Sequence, residues 1–441
     1  MSGGREKDPP GRTEQTADVT IIMKRRMNAM RAMRTLKRRL AVFTALTVML
    51  TMMMTGGLAS SANLTEPIYS VEDLFTERDL EQTADRTDAE VLTVSDGEDI
   101  RITESGVYVL TGTAAGVTVY VEADGEDKVQ LVLDGLNLTN TDFPCIYIKE
   151  ADKVFITLEG ENSLTVTGAF RMDGDTNTDG VIFSKEDLVL NGTGSLNVSS
   201  TDHGIVCKDD LKITGGTCTV RAAGKAVEAN DSIRIADGIL NLTAGTDGLH
   251  AENGEDDKLG YIYISGGSIT IQAGDDGIHG TSVVQIDGGE VTVSAAEGIE
   301  GTCIQINGGT IRVTASDDGI NAASKSGAYT AAIIINGGET TVSVGAGDTD
   351  GVDSNGNLYM NGGTLDVTGS STFDYDGIAE YNGGTITANG QRVTTIPNQM
   401  MGGMNMGGGW NNGGWNNGGW NNGGWNNSSW GGGWSAGGPG R

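Results

Sequence analysis

The sequence has little proline, few aromatic residues and no tryptophan before position 410. Of its 441 residues, 6 are Pro, 5% are aromatic, and all 6 Trp lie at the C-terminal end. A core built on Trp is therefore excluded for most of the chain. Scarce Pro, and Gly that does not recur at every third position, exclude a collagen-like protein. The excess is in Gly, with 69 residues, about twice the usual share.

Cysteine and histidine are also scarce. The four Cys show no closely spaced pairs of the kind that bind zinc, so we interpret them as small buried side chains; they are Cys145, Cys207, Cys218 and Cys303. Each of the three His lies beside an acidic residue of a repeat, which indicates a stacked structural feature more than a general base; they are His203, His250 and His279.

Charge divides the chain into two parts. The first 62 residues hold 11 basic and 4 acidic residues, which leaves 18 basic against 55 acidic in the remainder. Such an acidic body repels nucleic acid and anionic membranes, so we expect no nucleic-acid partner. An acidic polymer would need a bridging cation, which suggests a divalent metal.

The basic N-terminal part predicts export from the cell. A basic cluster at 24–39 precedes a mostly apolar run at 40–55 and then small residues up to Ala62. This pattern is typical of a secretory signal peptide, and we expect an extracellular protein, associated with the cell surface and without stable membrane insertion after processing. A single membrane anchor is the competing interpretation, although a span needs roughly 20 apolar residues.

An internal repeat predicts the architecture. Gly pairs recur with their second Gly at steps of 20 to 29 residues, and between them apolar and polar residues alternate, as in Ile262, Ile264, Ile269 and Ile271. Alternation with a period of two is typical of strands, and a fixed period indicates units that pack on their neighbours. We therefore predict an all-β protein, a right-handed parallel β-helix, in which each repeat forms one turn of a solenoid.

The turns should be built from glycine and asparagine. The second Gly of each pair should adopt positive φ or allow close approach; these are Gly194, Gly216, Gly238, Gly267, Gly289, Gly309, Gly338, Gly363 and Gly384. The Asn before the pair should stack into a ladder of amide hydrogen bonds; these are Asn307, Asn336, Asn361 and Asn382. Insertions at 251–260 and 322–330 should protrude from one side.

These patterns divide the chain into four parts. Residues 1–62 form the leader and signal peptide, 63–90 a linker, and 91–396 the β-helix, whose first turns and cap lie before residue 168. Residues 397–441 are a low-complexity tail rich in Gly, Asn and Trp, which cannot form a buried core. Its spaced Trp side chains could stack on sugar rings; the candidates are Trp410, Trp415, Trp420 and Trp425.

A second repeated motif suggests a metal site. An acidic residue followed by Gly and an aliphatic residue recurs about nine residues after the Gly pairs, at Asp202 (with His203 interposed), Asp247, Asp276, Glu297, Asp318, Asp350 and Asp376. Turns of the solenoid lie about 4.8 Å apart, so these carboxylates would line one edge and repel each other. Ca²⁺, which binds carboxylate and carbonyl oxygens, would relieve that repulsion. We include the adjacent Asp275 and Asp317 as ligands; solvated Asp-Gly turns are the alternative.

A third acidic segment resembles an EF-hand loop. Residues 175–186 match that pattern at every defined position, yet the flanking segments read as strands, so we reject an EF-hand. We keep Asp173, Asp175 and Asp179 as a calcium-binding excursion. Near the acidic edge, Lys225 or Lys208 could act as the base of a lyase that removes a proton α to a uronate carboxylate, although charge relief is the simpler interpretation.

Several segments together make the chain resemble a known family. They are GVYVLTGT from Gly106, VQLVLDG from Val129, AFRMDGDTNTDGVIFSKEDLVLNGTGSL from Ala169, HGIVCKDDLKITGG from His203 and DGLHAENGEDDKLGYIYISGG from Asp247. The chain resembles secreted bacterial carbohydrate-binding proteins of the right-handed β-helix type, related in fold to family 9 pectate lyases. The resemblance implies binding of cellulose and acidic pectic glycan with several Ca²⁺ ions and no established cleavage. The alternatives are a calcium-dependent pectate lyase and a structural surface adhesin.

Overall fold

The computed structural model describes residues 65–347 and 349–399, of which more than half lie in strands and very few in helices. The prediction of an all-β chain is confirmed for this part of the chain. The predicted signal peptide and the Trp-containing tail, with Trp410, Trp415, Trp420 and Trp425, lie outside the described residues. Within those residues, no helix is long and apolar enough to cross a bilayer.

The helical elements are two single turns near the start of the described chain, α1 (Val71–Leu74) and a 3₁₀ helix (Glu77–Leu80). The strands are β1 Glu90–Thr93, β2 Ile100–Ile102, β3 Gly106–Ala115, β4 Val119–Glu122, β5 Lys128–Asn140, β6 Ile146–Glu150, β7 Lys153–Glu159, β8 Glu161–Val166, β9 Gly180–Ser184, β10 Asp187–Gly192, β11 Ser195–Ser200, β12 His203–Cys207, β13 Asp210–Ile213, β14 Thr217–Ala222, β15 Val227–Ala229, β16 Ser232–Ile235, β17 Ile239–Ala244, β18 Leu249–Ala251, β19 Tyr261–Ile264, β20 Ser268–Gln272, β21 Asp276–Ile286, β22 Glu290–Ala295, β23 Glu297–Ile306, β24 Thr310–Ala315, β25 Ile320–Ala322, β26 Ala332–Ile335, β27 Glu339–Val344, β28 Asp350–Ser354, β29 Asn357–Met360, β30 Thr364–Thr368, β31 Ser371–Tyr375, β32 Ala379–Tyr381, β33 Thr385–Ala388 and β34 Gln391–Val393.

The strands pair in parallel to form three ladders, and each turn of the chain around the three ladders is here called a coil. Ladder A joins β1, β3, β5, β7, β10, β13, β16, β19, β21, β23, β26, β29 and β32. Ladder B joins β3, β5, β8, β11, β14, β17, β20, β22, β24, β27, β30 and β33. Ladder C joins β2, β4, β6, β9, β12, β15, β18, β21, β23, β25, β28 and β31. Four long strands, β3, β5, β21 and β23, each serve two ladders, and β34 closes ladder B by antiparallel pairing.

The core lies along the inner faces of the ladders. In β17, Leu240, Leu242 and Ala244 are buried and alternate with exposed residues. Leu240 pairs with Cys218 on one side and Ile269 on the other, so apolar side chains stack from coil to coil. Each fully buried aliphatic side chain contributes roughly 1.5 to 3 kcal/mol. All four Cys are buried, as the sequence predicted, and none of them is bridged.

The turns after ladder A carry the predicted asparagine ladder. Asn336 donates its amide to Asn307 at 2.7 Å, Asn361 donates to Asn336 at 2.8 Å, and Asn382 donates to Asn361 at 2.9 Å. Gly338 in the same turn has φ of 78°, and a Cβ there would lie 2.8 Å from the backbone of Gly308. The second Gly of most pairs has positive φ, but Gly194 does not; its constraint is close approach to the backbone of residues 159 and 160.

Residues 68–82, here called the strap, pack on the outer face of ladder A. The sequence pattern instead predicts a linker over residues 63–90. Tyr69 stacks on Tyr261 with ring centroids 4.4 Å apart. Phe75 is buried near Tyr263. The strap is thus part of the folded unit, because its apolar and charged side chains find partners on ladder A.

Candidate functional site

The outer face of ladder C carries two rows of polar side chains, one residue of each row per coil. In the first row, Asp276 pairs directly with Glu297 of the next coil, and the register extends the row in both directions; its members are His203, Lys225, Asp247, Asp276, Glu297, Asp318 and Asp350. The second row lies three residues further along each strand; its members are Glu228, His250, His279, Glu300, Asn321, Asp353 and Asp374. The predicted alignment of acids from successive coils is therefore observed for Asp247, Asp276, Glu297, Asp318 and Asp350.

The Gly after each acid is required by packing. At Gly277, a Cβ would lie 2.1 Å from Cγ1 of Val293, and at Gly298 it would lie 2.2 Å from Cγ1 of Val313. Neither Gly has positive φ, so the constraint is space rather than backbone conformation. A side chain at this position would clash with the core, so only Gly fits there. The acid that precedes it lies at the outer edge of the ladder.

Not all of the predicted acids belong to the rows. Ser371 pairs with Asp350 and takes the first-row position of its coil, so Asp376, an exposed residue, lies outside the row. Asp202 lies one position before the row, which His203 occupies instead. Asp275 and Asp317 are exposed beside the rows.

The centre of the face is a cluster of histidines and carboxylates. Nδ1 of His250 lies 2.8 Å from Asp247, and the rings of His250 and His279 stack with centroids 4.6 Å apart. Nδ1 of His279 lies 2.7 Å from Oδ2 of Asp276 and 2.8 Å from Oε2 of Glu300. Burial alone would lower the pKa of His279, but the hydrogen bonds to these two carboxylates outweigh it and raise the pKa to about 9.

One end of the face is acidic. Burial, together with the charges of Asp318, Asp350 and Asp374, raises the pKa of Asp353 to about 7. Burial and the nearby carboxylates of Glu300 and Asp276 likewise raise the pKa of Glu297 to about 7. Carboxylates that resist ionisation in this way indicate a place where negative charge is incompletely neutralised by the protein itself.

The same end offers oxygen atoms to a cation. Oδ1 of Asn321 and Oδ1 of Asp374 are buried and have no hydrogen-bond partner among the described residues. The backbone N–H of Asp350 donates to Oδ1 of Asp318 at 2.8 Å, which fixes neighbouring first-row carboxylates in orientation. The donors at this end are carboxylate and amide oxygens, which are the ligands that Ca²⁺ prefers, but their carboxylates are not among the described groups of three that lie within 4.8 Å of one another.

The opposite side of the centre holds the two candidate base lysines. Lys208 Nζ lies 2.8 Å from Glu228, and Lys225 Nζ lies 3.6 Å from the same residue. Burial would raise the pKa of Glu228, but the two lysines outweigh it and lower the pKa. Lys225 occupies the first-row position of its coil.

The EF-hand-like excursion packs over an aromatic cluster. Asp173 accepts a hydrogen bond from the hydroxyl of Tyr147 at 3.1 Å and lies 3.4 Å from Lys149, so it has protein partners. Asp175 is exposed, whereas Asp179 is buried near His203. Within the described residues, the groups of three or more His, Cys, Asp or Glu side chains close enough to share a metal are Asp276, His279 and Glu300, and Asp187, Asp209 and Asp210. The excursion acids are therefore not brought together.

The two insertions meet beside the cluster. Ser326 in the second insertion donates its hydroxyl to the backbone carbonyl of Asp257 in the first at 2.5 Å. Lys325 extends from the second insertion to Glu300, with Nζ 2.5 Å from Oε2. The prediction that both insertions protrude from one side is consistent with this contact, and they border the second row.

Sequence reasoning missed the second row, although a signal was present. The residue three positions after each first-row residue is polar throughout the centre of the face, as in Asp247 to His250, Asp276 to His279 and Glu297 to Glu300. A cavity of about 830 Å³ lies elsewhere, beside Gly216 and Ile239 at the corner between ladders A and B. Its lining is mainly glycine, threonine and apolar residues, so it lacks the chemistry of the ladder C face.

Comparison with known proteins gives three similarities. A family model described as "Carbohydrate-binding domain-containing protein" matches residues 96–377. A protein of Acetivibrio thermocellus with the same description is 39% identical over 144 residues, which are 32% of this chain and 49% of that protein. The chain thus spans about half the length of this relative. A solved structure titled as the polysaccharide lyase-like protein from C. thermocellum, a gadolinium derivative, is 31% identical, with a TM-score of 0.44, over 50% of this chain and 92% of that chain.

Proposed function

Because the chain belongs to the family of carbohydrate-binding domain-containing proteins, we propose that it binds polysaccharide on the outer face of ladder C and does not cleave it. The proposed ligands are acidic pectic glycan, bound with Ca²⁺, and cellulose. We further propose that the protein is secreted and acts outside the cell or at its surface, and that its three ladders wind as a right-handed parallel β-helix.

The observation that carries this proposal is the repetition of polar side chains along the face. One first-row and one second-row residue recur in each coil from that of β15 to that of β28, so the chemistry extends in one direction like that of a polymer. The contacting insertions at Asp257 and Ser326 border the face on one side. A site for a small molecule would instead concentrate its polar groups in one enclosed cavity.

We assign calcium to the acidic end of the face because of its oxygen ligands. The oxygens of Asp318, Asp350, Asp353, Asp374 and Asn321 would have to draw together around the ion, because their carboxylates do not already form a group within 4.8 Å. When bound, the ion supplies positive charge that an acidic sugar can share, which the strongly acidic body of the chain otherwise repels.

Binding without cleavage is the better proposal because of the surroundings of the two lysines. A lysine base must place its amine against the substrate proton that it removes, and a carboxylate partner holds that amine elsewhere. Lys208 and Lys225 both pair with Glu228. Incubation with polygalacturonate and Ca²⁺ should therefore yield no unsaturated uronates; their appearance, and its loss in Lys225→Gln, would favour a lyase.

Sedimentation with insoluble polygalacturonate tests the calcium-assisted binding. We expect binding in Ca²⁺, loss in EDTA, and at least tenfold weaker binding for Asp353→Asn, equivalent to about 1.4 kcal/mol. Glu339→Gln, an exposed change on β27 of ladder B, is the matched control and should bind normally. Binding that EDTA leaves unchanged would refute the calcium role, and silence on a broad glycan panel would favour a structural adhesin.

Cellulose binding is tested separately because no charge is needed for it. If the Trp side chains of the tail stack on sugar rings, removal of residues 398–441 should weaken binding to cellulose and leave binding to polygalacturonate intact. Undiminished cellulose binding by the shortened chain would exclude the tail as a sugar-stacking segment.

A further inference from the structure

Three side chains at the centre of the ladder C face converge on one point. Asp276 and His279 of β21 and Glu300 of β23 are 9%, 7% and 5% exposed. Their potential ligand atoms all lie within 4.8 Å of one another. The strand pairing places His279 beside Glu300 in the next coil, so the group joins two coils.

The two carboxylates compete for one ring nitrogen. Asp276 and Glu300 approach Nδ1 of His279 at 2.7 and 2.8 Å. A ring nitrogen carries one proton at most, so it cannot make a strong hydrogen bond to both carboxylates at once. A cation bound among the three atoms would satisfy all of them together.

The donor set indicates the kind of cation. One imidazole nitrogen and two carboxylate oxygens suit divalent transition ions such as Zn²⁺, which often take three protein ligands and keep a further position open. Ca²⁺ prefers oxygen ligands only and 6 to 8 of them. This group therefore differs in chemistry from the oxygen-only acidic end around Asp353.

We propose that Asp276, His279 and Glu300 form a binding site for a divalent transition ion of the Zn²⁺ type. The site is distinct from the proposed calcium site and does not depend on polysaccharide binding.

Neighbouring residues hold two of the ligands in position. The ring of His279 stacks on that of His250 at 4.6 Å with an interplanar angle of 16°. The backbone N–H of Asp276 donates to Oδ1 of Asp247 at 3.3 Å. Such outer contacts orient ligands and typically change metal affinity by about 10- to 100-fold when they are lost.

The ammonium group of Lys325 supplies the positive charge beside Glu300 when no metal ion is bound. Its Nζ lies 2.5 Å from Oε2 of Glu300, at the end of a flexible side chain on the second insertion. The ammonium group must leave Glu300 before that oxygen can bind a metal, so Lys325 competes with the ion. Its removal should therefore strengthen metal binding, although it removes an ion pair from the metal-free protein.

The test is a Zn²⁺ titration of the full chain in competition with a chromophoric chelator, followed by the visible absorption spectrum of the Co²⁺-loaded protein. We expect one tight site. His279→Gln and Glu300→Gln should each weaken it by about a hundredfold or more. Lys325→Gln should strengthen it, and His203→Gln, which removes a first-row histidine outside the group, should change it by less than about threefold.

Several results would overturn the proposal. Equal affinity in His279→Gln and the wild type would mean adventitious binding elsewhere. Competition by Ca²⁺ at concentrations comparable to Zn²⁺ would indicate an oxygen-only site. If Lys325→Gln binds Zn²⁺ no more tightly than the wild type, the natural cation of this group is the lysine and not a metal ion. If His279→Gln does not fold, the Zn²⁺ affinities of Glu300→Gln and Lys325→Gln test the proposal instead.

This test separates the site from the proposed function. Tight Zn²⁺ binding that persists in Asp353→Asn while Ca²⁺-dependent glycan sedimentation is lost would support two independent sites. Tight Zn²⁺ binding in a protein that binds no glycan would leave this inference standing and refute the proposed function.

Discussion

The side chain of Asp79 has no exposed surface and lies between two lysines of ladder A. Its Oδ2 is 2.6 Å from Nζ of Lys212 and its Oδ1 is 3.4 Å from Nζ of Lys153. Burial would raise the pKa of Asp79, but the hydrogen bonds from Lys212 and from the backbone around Thr76 outweigh it and lower the pKa below its ordinary 3.8. The ion pair therefore joins the strap to ladder A.

We expect Asp79→Asn to lower the free energy of unfolding by about 3 kcal/mol, because it leaves Lys212 buried without its charged partner. The folded pKa of Asp79 lies below the unfolded value, so its stabilisation is complete above the unfolded value and disappears as the pH falls through the folded value. Thermal melting from pH 7 to pH 3 measures both effects.

The wild type should lose more stability than Asp79→Asn over the acid part of that range. Glu72→Gln, an exposed change on α1, is the control and should behave as the wild type does. Equal acid sensitivity of the wild type and Asp79→Asn would show that the pair does not contribute.

At the scale of an element, the asparagine ladder joins successive turns by side-chain amides. An inner member such as Asn336 both accepts from Asn361 and donates to Asn307, whereas Asn382 at the end is exposed and donates without receiving from a further Asn. The contribution of one Asn should therefore depend on its place in the ladder.

Asn336→Ala should cost about 1 to 3 kcal/mol because it leaves amide partners above and below unsatisfied. Asn382→Ala is the matched comparison and should cost less than about 1 kcal/mol. Chemical denaturation followed by circular dichroism measures both. Equal costs for the two variants would contradict a cooperative ladder.

The ladder C face shows the same dependence on position. Asp276 and Asp350 share one motif and one row, yet Asp276 faces a histidine whereas the coil of Asp350 adds a second acid, Asp353. The same strand motif therefore gives a histidine–carboxylate cluster at the centre and a group of acidic residues at the end. What differs is the residue three positions further along each strand.

At the scale of the whole molecule, the strap links coils that are far apart in sequence. Tyr69 receives a hydrogen bond from Gln285 of β21 and donates to it, whereas Gln82 binds the backbone of Gly192 in β10. Along its length the strap covers apolar groups on ladder A, and Arg78 lies over the ring of Phe155 at 4.4 Å.

A chain that begins at residue 83 should melt at a lower temperature than one that begins at residue 65, because the outer face of ladder A loses its cover. Dye binding to exposed apolar surface should rise in the shorter chain. The face of ladder C is not covered by the strap, so sedimentation with polygalacturonate should persist. An unchanged melting temperature would show that the strap is dispensable.

The sequence alone determined the strands, the repeat and the row of acids, because these follow from local patterns: alternation with a period of two, Gly at fixed corners, and one acid per coil. The tertiary structure decided which residues meet. Lys325 reaches Glu300 only because an insertion folds back onto the adjacent coil, and Asp79 meets Lys212 across 133 residues. The register places Ser371, not Asp376, in the first row. Such contacts depend on where loops and the strap return to the ladders, and no short-range pattern encodes that.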